Sequence, residues 1–357
     1  MFGMGGVKDL IVIEPPEESK AGHARFVFSD RYSVFDWGKM PDEIAEKGKS
    51  LCITAAYFFE RLEEEGIRTH YLGIVEEGAV KRLSALKAPQ ECMEIKLLRV
   101  LYPAPPAQQD EVMDDAAAAG KGCYDYSVYR MERANFLIPL EVIYRNSLPE
   151  GSSVFKRLRE GSIKPEDIGL SDMPKPGQTL ERPFIDVSTK LEHCDRYLKW
   201  DEAREIAGLS DDEVREIKST ALRINEIITR ESRRAGLKNE DGKIEFGFDE
   251  KRRLIVVDAV GTLDECRFTY NGIPVSKEIA RIFYRKTEWY ELVEKAKKKG
   301  VNWKAFVGRE PPPLPENLKN LISSMYKAAC NEITGRTWFE DVPELGEIMD
   351  EILCYIG

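Results

Sequence analysis

The 357-residue chain lacks the patterns that mark several common protein classes. None of its apolar runs approaches the roughly 20 residues that a membrane-spanning helix needs, so we expect no membrane partner. The N-terminus has no basic segment followed by an apolar one, which is the pattern of a secretory signal. Only three histidines occur, scattered along the chain, and none of them is favoured here as a catalyst.

Cysteine is also used sparsely. The seven cysteines are scattered and form no Cys-x-x-Cys pair, which argues against a zinc site or a disulfide framework. Reduced thiols are typical of the cytoplasm, and we expect that location. The formal net charge of −10 disfavours nucleic acid as a partner. Small anionic metabolites stay compatible with this charge, because a local basic pocket does not show in a net charge.

The most informative stretch of the sequence is Asp241-Gly-Lys-Ile-Glu-Phe-Gly247. Charged residues at 241, 243 and 245 alternate with apolar ones at 244 and 246. This period of two predicts a strand with one solvent-exposed charged face and one apolar face. The apolar run Leu254–Val257, which ends at Asp258, predicts a neighbouring buried strand.

A hairpin of these two strands would bring the carboxylates of Glu245 and Asp258 together, with Lys243 beside them. Two adjacent carboxylates repel each other unless a cation lies between them. Mg²⁺ held by two carboxylates and the phosphates of a substrate fits this arrangement. The alternative is an ordinary surface hairpin with solvated charges, which the residues themselves do not exclude.

Two stretches have the composition of phosphate-binding segments. Gly3–Gly6 is followed by Lys8, and glycines beside a strand allow backbone N–H groups to approach a phosphate. A frayed chain end has the same composition. Farther along, Arg145 precedes the loop that contains Gly151 and Ser152, which is a second, weaker phosphate-binding pattern.

Polar residues also follow two strands. Ser33 and Asp36 lie where the chain leaves the predicted strand Arg25–Phe28, a usual place for ligand contacts but also for turns. The stretch Ser188–Asp195 places Lys190 near two acids. Elsewhere, Pro139 interrupts an apolar strand and predicts a change of pairing partner or of domain, since proline donates no ladder hydrogen bond.

The helical pattern is concentrated in two parts of the chain. Residues 50–66 form an amphipathic pattern, and Ser210–Glu213 is a capping box that begins another helix. After residue 270 the pattern is helical almost throughout. Residues 103–121 are rich in proline, alanine and glutamine and predict a solvent-exposed insertion.

Taken in order, these stretches resemble the SAICAR synthetase family, whose members join aspartate to carboxyaminoimidazole ribotide (CAIR). The resemblance covers most of residues 5–270 and is carried by six ordered blocks. These are Gly5-Gly-Val-Lys-Asp9, Ser29-Asp-Arg-Tyr-Ser-Val-Phe-Asp36, Ile138–Arg145 with Gly151-Ser152, Ser188-Thr-Lys190, Asp241–Gly247, and Asp258 with Asp264 and Arg267.

The chain departs from the family pattern at several positions. Gly6 replaces a basic residue, and the spacing from Arg145 to Ser152 is one residue longer. The family's Asp-Glu pair is Asp258-Ala259 here, and its Pro-Asp-Ser-Ser-Arg is Leu263-Asp-Glu-Cys-Arg267. The insertion at 103–121 and the C-terminal helices make the chain longer than the common form and resemble a longer, archaeal form.

The resemblance implies an α+β, two-lobed fold. It would comprise a β-rich ATP-binding lobe over residues 1–138, a mixed lobe with the ribotide and metal sites over 139–270, and a helical extension over 271–357 packed on the second lobe.

The resemblance also implies roles for individual residues. Three positions would act in catalysis, with Lys243 steadying the transferred phosphoryl group: Asp241, Lys243 and Lys190. ATP would be bound by Gly6, Lys8, Leu137, Ile138, Glu141 and Lys190, with the adenine against the backbone of 137–138. Mg²⁺ would be held by Glu245 and Asp258. The ribotide phosphate would contact Arg145, Ser152 and Arg267, while Ser33 and Asp36 would face the ribotide or the aspartate.

The implied activity is an ATP-dependent ligation of CAIR and L-aspartate that yields SAICAR, ADP and phosphate. Two alternatives belong to other classes: a small-molecule kinase of related fold, and a non-catalytic nucleotide-binding module. A kinase would release ADP without aspartate, and a binding module would turn over no acceptor. The resemblance leaves the oligomeric state open, and a homo-oligomer is compatible with it.

Overall fold

The computed structural model describes residues 2–4, 7–106, 124–299 and 303–356, with side chains from residue 7 onward. Gly6 and most of the predicted 103–121 insertion lie outside the described residues. The strands are β1 (Phe2–Met4), β2 (Lys8–Glu14), β3 (Gly22–Phe28), β4 (Tyr71–Glu76), β5 (Ala79–Lys81), β6 (Cys92–Leu97), β7 (Phe136–Leu148), β8 (Gln178–Thr189), β9 (Lys238–Phe248), β10 (Leu254–Val257), β11 (Cys266–Tyr270) and β12 (Ile273–Val275).

The helices alternate with these strands at first and then dominate. They are α1 (Lys47–Glu64), α2 (Ser127–Met131), α3 (Ser153–Arg159), α4 (Trp200–Ile206), α5 (Asp211–Ser232), α6 (Glu278–Arg285), α7 (Glu288–Lys297), α8 (Glu316–Thr334) and α9 (Leu345–Ile356). Short 3-10 turns occur at Leu83–Ala85, Pro165–Ile168, Arg233–Ala235 and Trp303–Phe306. The mixture of helices and antiparallel sheets is the predicted α+β class.

Two antiparallel sheets form the frame of the molecule. The N-terminal sheet has the order β1-β2-β3-β6-β4-β5, and the second sheet has the order β12-β11-β9-β7-β8, with β10 paired to β9. Between the sheets, Thr69 forms a parallel bridge with Val256, so the second sheet's hairpin reaches the first sheet's connecting segment. This junction places the end of β10 at the boundary between the sheets.

On one edge of β7 the partner changes at Pro139, as predicted: Arg99 bridges Phe136 before the proline, and β8 pairs from Leu140 onward. On the other edge β7 stays paired with β9 on both sides of the proline. The register with β9 shifts between Leu137 and Glu141, which accommodates the missing N–H donor.

Helix α1 begins at Lys47, three residues before the predicted start, and its apolar residues join the main hydrophobic core. The capping box at the start of α5 is confirmed: Ser210 Oγ accepts from the Glu213 N–H, and the Glu213 side chain accepts from the Ser210 N–H. In strand β9, a Cβ atom at Gly247 would lie 2.3 Å from the Leu98 side chain. Close approach of Leu98 therefore explains this glycine.

The C-terminal helices contact both halves of the molecule. Helix α8 packs against α1, and Ser323 Oγ donates a 2.7 Å hydrogen bond to the carbonyl of Ala45. Tyr326 on the same helix donates to Asp264, which follows β10. The main core contains residues from all three predicted segments, and the segment boundaries at 138 and 270 stay a prediction.

Candidate active site

The hairpin β9–β10 positions two carboxylates at the junction of the sheets. Val257 lies opposite Glu245, and Asp258 follows immediately with a left-handed backbone (φ 66°). On the other side of β9, Glu141 of β7 lies opposite Glu245. The period of two places charged residues of adjacent strands on one sheet face.

Seven charged side chains meet at this place, and we name them the carboxylate–lysine cluster. The cluster consists of Lys8, Glu141, Lys190, Lys243, Glu245, Asp258 and Glu265. Lys8 Nζ lies 2.7 Å from an oxygen of Asp258. Lys190 Nζ lies 2.5 Å from Oε1 of Glu245. The cluster therefore joins the N-terminal sheet, through Lys8, to the second sheet.

Lys243 lies among three carboxylates. Its Nζ is 3.0 Å from Glu141, 3.4 Å from Glu265 and 3.5 Å from Glu245. Burial alone would lower the pKa of Lys243, but the charges of Glu265, Glu245 and Glu141 outweigh burial and raise it. Lys243 is thus held as an ammonium ion.

The two predicted metal ligands have opposite pKa shifts. Burial, together with the charge of Asp258, raises the pKa of Glu245. Burial also acts to raise the pKa of Asp258, but the charges of Lys8 and Lys190 outweigh it and hold that pKa below its usual range. Asp258 therefore stays ionised, while Glu245 takes up a proton more readily than an ordinary glutamate.

The predicted solvent-exposed face of β9 is in fact covered. Asp241 and Glu245 are buried, with relative exposures of 4% and 3%, and the side chain of Lys243 is 31% exposed. The alternative of a surface hairpin with solvated charges is therefore wrong. Neighbouring strands and ion pairs replace water around these charges, which a strand pattern cannot reveal.

The donor set fits a divalent cation that also binds phosphate. Oε1 of Glu245 is buried and accepts no hydrogen bond of suitable angle, although the ammonium of Lys190 is close. Asp258 supplies a second ionised carboxylate. Within the described residues no group of three or more His, Cys, Asp or Glu side chains is arranged to hold a metal. Two carboxylates completed by phosphate oxygens and water is an arrangement that suits Mg²⁺.

Next to this cluster lies a network of arginines and aspartates. Arg145 is 2% exposed and contacts Asp186 at 3.0 Å and Asp241 at 3.1 Å. Arg267 also binds Asp241, through its Nε at 2.7 Å, but its side chain is 35% exposed. Asp186 is also paired with Arg157, whose Nη1 lies 2.6 Å from its Oδ2 atom. Asp241 is thus held by two guanidinium groups, and Arg267 is the one that reaches solvent.

A cavity of about 520 Å³ opens beside Arg267. Its lining includes Gly151, Glu240 and the arginines at 281 and 285 of α6. Ser152 lies one residue from this lining, is buried, and caps α3 by accepting from the N–H of Val154. The predicted phosphate contacts therefore differ in exposure: Arg267 borders open space, while Arg145 and Ser152 are enclosed.

The predicted adenine contact lies in a small apolar cluster of Leu98, Leu137, Ile255 and Val257. The N–H of Leu137 already donates to the carbonyl of Arg99 at 2.9 Å. Leu98 and Ile255 also line a cavity of about 300 Å³. Ile138, like Leu137, is buried.

Ser33 and Asp36 lie on the segment that follows β3, at some remove from the cluster. Ser33 is half-buried, and the Asp36 side chain is 89% exposed and pairs with Lys297 of α7 at 3.2 Å. Asp195 lies within electrostatic range of both places. Burial raises its pKa, as do the charges of Glu141 and Asp36, and these effects outweigh the lowering by Lys243 and Lys190.

Comparison with known proteins identifies the family of the chain. The model of the SAICAR synthetase family matches residues 4–296, which is more than half of the chain. The chain belongs to the SAICAR synthetase family.

Two curated members show how much of the chain is shared. A protein of Archaeoglobus fulgidus, provisionally named phosphoribosylaminoimidazole-succinocarboxamide synthase, is 51% identical over 98% of each chain. The Thermoplasma acidophilum enzyme of that name is 34% identical over 88% of this chain and 93% of its own length. These matches extend past the family model into the C-terminal helices.

Solved SAICAR synthetase structures share the fold. The Saccharomyces cerevisiae SAICAR synthase complexed with SAICAR has a TM-score of 0.60 and 22% identity, and the match covers 95% of this chain and 96% of that one. A type-2 SAICAR synthetase in complex with ADP has a TM-score of 0.58 and 21% identity, covering 96% of this chain and all of that one. At these identities the likeness establishes the two-lobed α+β fold alone.

Sequence reasoning missed four residues that the fold brings to the candidate site of this SAICAR synthetase family member: Glu265, Asp195, Asp186 and His70. Glu265 and Asp195 lie in stretches that the sequence singles out, but no spacing rule gave them a role. Asp186 reaches Arg145 only through the pairing of β7 with β8. His70 contacts the backbone of Asp258 across 188 residues, and no sequence signal could have found it.

Proposed function

We propose that the protein is an ATP-dependent carbon–nitrogen ligase that joins L-aspartate to the carboxylate of CAIR. The products are SAICAR, ADP and phosphate. The observation that carries this proposal is the meeting of Glu245 and Asp258 with three lysines, in a chain that belongs to the SAICAR synthetase family. The kinase and binding-module alternatives are not favoured, because the family members named above are ligases.

The chemical problem is that a carboxylate is a poor electrophile. In the proposed reaction the CAIR carboxylate oxygen attacks the γ-phosphorus of ATP, forming an acyl phosphate and releasing ADP. The amine of aspartate then attacks the acyl carbon, the amide bond forms, and phosphate leaves with the former carboxylate oxygen. Such chemistry depends on positioning and charge neutralisation rather than on a protein nucleophile.

Within this proposal, the carboxylate–lysine cluster binds the triphosphate. Glu245 and Asp258 would hold Mg²⁺, which neutralises phosphate charge when bound. Lys8 and Lys190 lie next to these two acids and would contact phosphate oxygens. Lys243, kept protonated by its carboxylate neighbours, would stabilise the transferred phosphoryl group. Glu141 orients Lys243 by a 3.0 Å hydrogen bond.

The adenine is proposed to lie against the apolar cluster of Leu98, Leu137, Ile255 and Val257, with Ile138 beside it. Apolar side chains of this kind cover the faces of an aromatic base. Gly6 keeps its role as a predicted contact of the phosphates. A cytoplasmic location is part of the proposal. Separately, none of the helices in the described part of the chain could span a membrane.

The ribotide phosphate is proposed to bind at Arg267, which reaches the 520 Å³ cavity. Arg145 supports this phosphate contact indirectly, because it neutralises Asp186 and also Asp241, the partner of Arg267. Ser152 fixes the start of α3 next to Gly151, so it shapes the same wall. Ser33 and Asp36 stay proposed contacts of the ribotide or the aspartate.

An assay of ADP release tests the proposal. The protein is incubated with ATP, Mg²⁺, CAIR and aspartate, and each component is omitted in turn while SAICAR is followed by mass spectrometry. We expect SAICAR to form only in the complete mixture, in equal amount to ADP. ADP release that is equally fast without aspartate would favour the kinase, and no turnover in any mixture would favour the binding module.

A further inference from the structure

Glu265 is a carboxylate of the carboxylate–lysine cluster that has no part in the proposed binding of metal or substrate. Its Oε2 lies 3.4 Å from Nζ of Lys243, and its side chain is 12% exposed. Its backbone is fixed from both directions, since its N–H donates to Thr262 and its carbonyl accepts a 3.0 Å hydrogen bond from the N–H of Lys243. The carboxylate is therefore held beside Lys243 by the fold itself.

Two lysine ammonium groups lie close to the carboxylate of Glu245. Lys190 lies 2.5 Å and Lys243 lies 3.5 Å from the same oxygen, Oε1. A divalent cation at Glu245 must compete with these ammonium groups, because all three are attracted to one carboxylate. A carboxylate that holds Lys243 from another direction lowers this competition. Glu265 lies in that position, and its charge also acts favourably on Lys8.

The charge balance points in the same direction. When all seven side chains are ionised, the four carboxylates of the cluster exceed its three ammonium groups by one, and removing the charge of Glu265 makes the cluster neutral. Protonation of Glu245 shifts both totals by the same amount. A cluster with one negative charge repels a free nucleotide polyanion and attracts a divalent cation. An uncharged side chain at this position would have neither effect.

We propose that Glu265 is a positioning residue that holds Lys243 away from Glu245 and so makes nucleotide binding depend strongly on a divalent cation. The inference rests on the proposed function in one respect, namely that the nucleotide binds at this cluster. It concerns the binding step and does not depend on which acceptor reacts.

The test compares ADP affinity with Mg²⁺ and with EDTA by isothermal titration calorimetry. In Glu265→Gln we expect the ratio of the two affinities to fall by about tenfold, because one charge near both the cation and the phosphates is lost. Glu265→Asp should retain most of the ratio. Glu94→Gln is the matched control, since Glu94 has a similar exposure of 13% but pairs with Arg25 outside the cluster.

An unchanged ratio in Glu265→Gln would overturn the inference, and so would an equal loss of affinity with and without Mg²⁺, which a merely structural role predicts. If Glu265→Gln unfolds, Glu265→Ser, which also removes the charge, decides: a fall in the ratio supports the inference, and an unchanged ratio overturns it. A protein that shows the expected ratio but forms no SAICAR would contradict the proposed function alone.

Discussion

The Nε2 atom of His70 lies 3.0 Å from the backbone carbonyl oxygen of Asp258. The ring is enclosed by Phe26 and Phe59. Burial lowers the pKa of His70 to about 4, so the imidazole is neutral at physiological pH and donates from Nε2. Because Asp258 adopts a left-handed backbone, this hydrogen bond stabilises a conformation that a non-glycine residue rarely adopts.

Replacement of His70 by leucine should lower stability by about 1–3 kcal/mol, since the carbonyl of Asp258 loses its buried donor. It should also weaken Mg²⁺-dependent ADP binding, because Asp258 is no longer held in place. Denaturant unfolding and calorimetry measure the two effects. A loss of stability with unchanged Mg²⁺ dependence would show that His70 supports the core only.

The same residue predicts a pH dependence of stability. The pKa of His70 is lower in the folded protein than the ordinary value of 6.5, so the unfolded chain binds the proton more readily. Its contribution to stability is therefore complete above pH 6.5 and is lost as the pH falls toward 4. The stability difference between the unmodified protein and His70→Leu should shrink over this window. Thermal unfolding at several pH values checks this, and a difference that grows on acidification would contradict it.

Replacement of Glu245 by glutamine should leave the fold intact and strongly reduce turnover, since it removes a proposed metal ligand without changing volume. Because the pKa of Glu245 is raised above 4.5, its contribution to stability is present at acidic pH and is lost as the pH rises through the folded value. In the absence of metal, the variant should therefore gain stability relative to the unmodified protein between pH 5 and pH 8. Unfolding of the variant at both pH values would instead make Glu245 a structural residue.

Arg145 and Arg267 should respond differently to substitution by methionine. Arg145→Met leaves Asp241 and Asp186 short of a buried partner, and we expect a loss of about 3–5 kcal/mol in unfolding free energy. Arg267→Met should cost much less stability because this side chain is 35% exposed. Denaturant unfolding of both variants measures the difference, and equal losses would contradict the assignment of Arg145 to the supporting network.

The Michaelis constants of Arg267→Met provide a separate test. If Arg267 grips the ribotide phosphate, the constant for CAIR should rise by at least about tenfold, since a charge-assisted contact is lost. The constant for aspartate should change much less. Arg25→Met is a suitable control, because Arg25 has a similar side-chain exposure of 33% and pairs with Glu94 outside the proposed site. An unchanged constant for CAIR would remove Arg267 from the substrate site.

The sequence predicted the parts of the site that local pattern controls. Alternation along β9 and the apolar run of β10 were sufficient to place Glu245 next to Asp258, because a hairpin has few ways to pair. Ordered motifs likewise identified Lys8, Lys190 and Arg267. The pattern did not reveal that the charged face of β9 is covered, since burial there depends on partners from distant segments.

Long-range contacts account for what the sequence left out. The residues next to Arg145 along the chain predict a phosphate ligand. In the fold, strand β8 places Asp186 in contact with Arg145. The C-terminal helices read as an addition to the second lobe, but α8 also lies on α1. In both cases the decisive partner is more than 40 residues away, as in the pairing of Arg145 with Asp186.

Lys47 and Asp264 form an ion pair of 2.8 Å that is almost completely shielded from water, and the ring of Tyr326 lies over the ammonium group. A fragment cut at residue 296, where the family model stops, would discard the helix that carries Tyr326. Loss of this helix would expose one side of the Lys47–Asp264 pair and the apolar surface of α1 to water. We therefore expect such a minimal fragment to aggregate rather than to fold. A shortened protein for crystallisation or expression should keep the chain through the end of α9.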